Sequence, residues 1–154
     1  MGNEDVEISK LVTETAGLAR TLIKFERIIT ETKEQLDSRV KKEATKAVEG
    51  IQKLLASWTS IEDCGTNLYR QILSDASGVV GQIQKVAFDI NRMNSRDKMM
   101  DMTELSFKPN GFLQSLQPFR NAKLGNERMA QAIMQGMVEA GASKPAVQDV
   151  CRIK

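Results

Sequence analysis

Histidine is absent from all 154 residues. That absence removes Ser-His-Asp and Cys-His nucleophile activation, imidazole metal ligation and a histidine switch near neutral pH together. Cysteine is nearly absent as well: Cys64 and Cys151 stand far apart with no CxxC neighbour. Two thiols do not complete a cysteine-only zinc site, nor do they make the disulfide framework of a small secreted domain. Each reads as a buried structural thiol, because no base neighbours either one to activate it. Proline is confined to Pro109, Pro118 and Pro145, so the first 108 residues lack the strongest interior helix breaker. The 10 glycines never form GxGxxG or GxxxxGK[ST], which excludes a dinucleotide-binding turn and a P-loop. No window approaches the 18 apolar residues that span a bilayer, and no signal-peptide core is visible. Met1-Gly2 is followed by Val6 where a myristoylation signal needs Ser or Thr. A cytoplasmic location is the resulting expectation.

What is present is an ordinary globular balance of 41% apolar and 27% charged residues. The 22 basic and 20 acidic side chains are interleaved, as on a solvated helix surface; a basic stripe would be the footprint of a phosphate backbone. Ile8, Leu11, Val12, Leu18, Ala19 and Leu22 begin a helical face. Leu22, Phe25, Ile29, Thr32, Leu36, Val40, Ala44, Ala47, Ile51, Leu54, Trp58 and Ile61 continue it in steps of three or four, the spacing of a coiled-coil seam. The two consecutive four-residue steps through Leu36, Val40 and Ala44 are a stutter. They mark either the weak point of one long helix or a joint between two. Thr59-x-x-Glu62 has the form of a capping box, in competition with a turn at residues 63–67. Ser74 to Gly78 reads as a break or a fresh cap. Val79, Val80, Ile83, Val86, Ala87 and Ile90 give a further stripe, ended by polar residues 91–97.

The pattern predicts an all-α fold: an elongated helical bundle or coiled-coil-like helices over residues 1–100. Residues 101–154 are expected to add a loop region and one or two short helices in the same domain. Lys108-Pro109-Asn110-Gly111 has the composition of a turn, which leaves residues 103–116 as a loop or a short hairpin. Asn126 is placed to cap a helix carrying Ala130, Ile133, Met134, Met137 and Val138. Gly141 then ends that helix, and Ser143-Lys144-Pro145 opens a shorter one with Val147, Val150 and Cys151.

No catalytic residue, cofactor or metal site is expected. Asp97, Asp101 and Glu104 are spaced to share a helix face that could hold a hard cation, but a solvated face beside Arg96 and Lys98 is the plainer reading. The expected function is a non-enzymatic interaction or scaffold protein that self-associates or packs into a larger assembly. Its partner-binding residues are Leu22, Phe25, Ile29, Leu36 and Val40 on the seam, with Met99, Met100 and Met102 in the methionine-rich stretch. Methionine suits adaptable grooves, and three so close cannot all face inward. The alternative is a nucleic-acid-associated, nucleocapsid- or packaging-like protein. It would use Phe119, Arg120, Lys123 and Arg128 in residues 101–154, where 7 basic residues meet 5 acidic ones.

Overall fold

The stutter in the seam is a joint between two helices. In the computed structural model, which describes residues 2–120 and 125–142, α1 (Gly2–Thr32) runs into a single 3-10 turn at Lys33–Gln35, and α2 (Ser38–Thr59) follows. The Asp37 side chain stops propagation across the joint by accepting from the backbone N–H groups of Arg39 and Val40, both at 3.1 Å. Such an N-cap contributes about 1 kcal/mol. Lys41 also reaches back 2.6 Å to the Glu34 carboxylate, fastening α2 to the turn before it.

Folding back at the joint makes the seam self-complementary. Phe25, Ile29, Ala44, Ala47, Ile51 and Trp58 are sealed from solvent, and Leu22, Val40 and Leu54 nearly so. Five helices share one continuous core. α3 spans Leu68–Met93, α4 spans Met102–Leu116 and α5 spans Gly125–Glu139. Trp58 ties three of them together. Its ring stacks on Phe112 of α4 with centroids 5.0 Å apart and planes 24° from parallel. Its Nε1–H donates to Asp75 of α3 at 3.2 Å. Among the described residues no strand forms, and no helix is long and apolar enough to cross a membrane.

Several local expectations give way to tertiary packing. Thr59 ends α2 instead of capping a new helix: its hydroxyl donates 2.8 Å back to the Ala56 carbonyl. Glu62 lies in the connecting loop, where the competing turn forms through Gly65 N–H donating to Asp63 Oδ1 at 2.9 Å. Cys64 in that loop is half-buried and is not a free thiol, in place of the buried thiol expected. Ser74 to Gly78 neither break nor cap anything, since α3 passes through them. Ala76 and Val79 are buried there, and tertiary burial overrides weak local propensity.

Pro109 departs furthest from its expected role. It lies inside α4, so residues 103–116 form neither a hairpin nor a loop. A helix-interior proline costs about 3 kcal/mol. Leu105, Phe112 and Leu116 share the inward face with Pro109 and are almost wholly buried, each contributing roughly 1.5–3 kcal/mol. The face outweighs the breaker.

α5 lies against α1 unusually closely. At Gly136 an added Cβ would stand 2.6 Å from Thr15 Cβ and 2.8 Å from the Val12 carbonyl oxygen, so only glycine fits. Arg20 donates 3.2 Å to the Glu139 carbonyl, placing a cation on the negative end of α5. Gly141 ends the helix as expected. Its φ is 77°, and Ala142 N–H reaches the Met137 carbonyl at 2.9 Å while Gly141 N–H reaches Val138 at 3.0 Å, the paired bonds of a Schellman motif. Asn126 is not a cap. Its amide crosses to the loop after α2 and donates to the carbonyls of Cys64 (3.1 Å) and Gly65 (2.6 Å). The terminal helix expected from Ser143 onward falls outside the described residues.

Candidate functional site

The seam residues expected to meet a partner are used inside the chain. Leu22, Phe25, Ile29 and Val40 belong to the core, and Leu36 is half-buried at the joint. Apart from Val6 near the start of α1, large apolar exposure is found instead around the α3–α4 connection. Phe88 and Phe107 are each 69% exposed, with Met93 and Met99 at 44% and Met102 at 49%. A well-packed bundle leaves single apolar residues on its surface without consequence, but five within twenty positions concentrate apolar exposure on one stretch of the chain.

The connection holding these side chains is tightly built. Asn91, near the end of α3, uses both ends of its amide on one residue. Its Nδ2–H donates to the Met100 carbonyl at 2.9 Å, and its Oδ1 accepts from Met100 N–H at 2.7 Å. Asn94 donates to the Lys98 carbonyl at 3.0 Å and accepts from the Thr32 hydroxyl of α1 at the same distance. Met100 is thereby locked with its side chain 1% exposed, while Met99 and Met102 on either side face outward. The three methionines expected to act together are split by this clamp. Asp101 caps α4 by accepting from Thr103 and Glu104 N–H groups at 2.9 and 3.2 Å.

The three carboxylates at this connection are held separately. Asp101 is occupied as a cap, Glu104 pairs with Lys24 of α1 (Nζ to Oε2, 2.6 Å), and Asp97 sits on a separate 3-10 turn. The three carboxylates therefore do not converge, and no group of three potential metal ligands exists among the described residues. The surroundings are instead mixed in charge. Arg92, Arg96 and Lys98 alternate with Asp89, Asp97 and Asp101, and Arg92 both bonds Asp89 at 2.7 Å and lies 5.2 Å from the Phe88 ring centroid.

The nucleic-acid residues are not presented together either. Phe119 is 5% exposed, so its ring is not open for a base to stack on. Arg120 and Arg128 are exposed, and Lys123 falls outside the described residues. Sequence reasoning missed Phe88 and Phe107, the most exposed aromatics. The signal was faint: Phe88 stands out of phase with Val86, Ala87 and Ile90, and Phe107 is masked by the turn composition that follows it.

Among the described residues, fold and surface together define an all-α bundle of five α-helices with an apolar elbow. No protein-family model, no curated protein and no solved structure matches the chain.

Proposed function

We propose that the protein is a non-enzymatic helical interaction module that self-associates through the α3–α4 elbow. The observation that carries this reading is the concentration of exposed Phe88, Met93, Met99, Met102 and Phe107 around one connection, while Leu22, Phe25, Ile29 and Val40 of the seam are closed inside. A two-fold interface sets a patch against its own copy, so the patch must be complementary to itself. The elbow meets that requirement: three basic and three acidic residues lie between positions 89 and 101, around apolar side chains that gain by being covered. Unbranched methionines adjust to a facing copy with little strain.

Sedimentation equilibrium over the micromolar range tests the reading. Wild type is expected to shift toward dimer with concentration, and the exposed double variant Phe107→Ser, Met102→Ser is expected to remain monomeric with unchanged helical circular dichroism. A wild type that stays strictly monomeric at high micromolar concentration would overturn it.

A further inference from the structure

We propose that a cleft at the start of α3 is a binding site for a phosphorylated small molecule. The cleft, about 610 Å³, is lined by Thr66, Asn67, Tyr69, Arg70, Leu73, Gln117 and Arg120, which brings the first turns of α3 against the 3-10 turn at Gln117–Phe119. It lies apart from the elbow.

Three observations converge on it. The first is electrostatic. α3 is 26 residues long, and its positive end is left without the usual compensation: Asn67 makes no side-chain cap, and no acidic residue occupies the first turn. The N–H groups and dipole at such an end favour an anion. The second is the pair of guanidiniums. Neither the Arg70 nor the Arg120 side chain has a hydrogen-bond or ion-pair partner among the described residues, whereas Arg20 and Arg92 are each engaged. Two unengaged forks lining one cleft beside a helix terminus are the donor type that a phosphate takes.

The third is Tyr69. This residue is only 7% exposed, yet its hydroxyl has no partner among the described residues. Among the described residues the buried side-chain polar atom without a bond is Thr15 Oγ1, so the Tyr69 hydroxyl is not itself sealed from water. The hydroxyl is therefore open to solvent in a side chain otherwise enclosed, and Tyr69 is one of the residues that line the cleft. A phenol held this way donates to an oxyanion with little ordering cost. Thr66, Asn67 and Gln117 add neutral donors. Leu73 and the Tyr69 ring supply an apolar wall, and the volume, in the range of small-molecule sites, leaves room for an organic body behind the phosphate.

Amide-resolved NMR titrations at constant ionic strength test the proposal, with inorganic phosphate, phenyl phosphate and a single-stranded oligonucleotide as probes. Inorganic phosphate is expected to shift the Tyr69 and Arg70 amides saturably, and phenyl phosphate to bind more tightly at the same amides. The Arg70→Gln, Arg120→Gln protein should bind at least about ten-fold more weakly, as the loss of a charge-assisted hydrogen bond implies. Tyr69→Phe should weaken binding several-fold while leaving the melting temperature without ligand unchanged, since the hydroxyl has no structural partner to lose. Chloride producing the same shifts, or the double variant binding as wild type does, would overturn the site. An oligonucleotide that outcompetes phenyl phosphate through the same two arginines would overturn the small-molecule assignment.

Discussion

Gly136 and Gly78 make a paired experiment in which one chemical change is expected to have opposite signs. Glycine to alanine in a helix interior gains about 0.5–1 kcal/mol when nothing else changes. Gly78 of α3 is that case: it is exposed, and an added Cβ would have nothing within 4 Å. Gly78→Ala is expected to stabilise by that amount. At Gly136 the new atom would stand 2.6 Å from Thr15 Cβ, where ordinary contact begins at 3.4 Å, so α1 and α5 must part locally by about 0.8 Å. No rotamer relieves this, because Thr15 Cβ is fixed to its backbone and the Val12 oxygen is backbone itself. Overpacking of this kind costs roughly 1–3 kcal/mol. With both a Cβ and a carbonyl obstructing, the upper half of that range applies. After subtracting the helix-propensity gain, Gly136→Ala should destabilise by about 1–2.5 kcal/mol, a fall of roughly 3–8 °C in melting temperature. Urea unfolding monitored at 222 nm, with equal m-values required, measures both variants. Gly136→Ala at or above wild-type stability would refute the close approach of α1 and α5.

Thr15 offers a related gain. Its hydroxyl is buried without a partner among the described residues, so Thr15→Val, which keeps the shape, should raise stability by about 1 kcal/mol in the same denaturation assay. Asn91→Ala removes both amide bonds that fix Met100 and should cost about 1–3 kcal/mol. Hydrogen exchange is expected to speed up first at Met100, and protection unchanged there would count against the clamp. The Lys41 ammonium bonded to Glu34 holds that carboxyl below the usual carboxylate range, with Coulombic attraction adding to the bond. Because the folded pKa is the lower one, the contribution is present above the ordinary carboxylate pKa and is lost as pH falls through the folded value. Lys41→Gln should return the Glu34 titration toward its ordinary position, as followed by carboxyl NMR shifts. Exposure of the Glu34 carboxylate to solvent keeps the pair's effect on stability small.

Features that depend on one helix were legible in the sequence. The 3.5-residue period announced an all-α fold, the stutter at Leu36–Ala44 fell on the α1–α2 joint, and Gly141 stopped α5 through its positive φ. Features that depend on two distant segments were not. Pro109 reads as a turn until Phe112 and Leu116 are known to need the same face buried, and Gly136 is one glycine among ten until Thr15 is set against it. The same limit governs the surfaces. The seam residues carried the strongest apolar signal and were for that reason claimed by the core, while Phe88 and Phe107 carried a weak one and were left outside. Tyr69 and Arg70 become notable only beside Arg120, fifty positions further along.

The pairing of α1 with α5 also has a consequence for biosynthesis. Arg20 waits for a carbonyl 119 positions downstream, and at roughly 5–20 residues per second that segment leaves the ribosome some 6–24 s later. Throughout that interval the α1 groove around Val12 and Thr15 lacks the helix that covers it. The nascent chain therefore passes through a stage in which this face of α1 is already made and the glycine-bearing helix that closes over it is not.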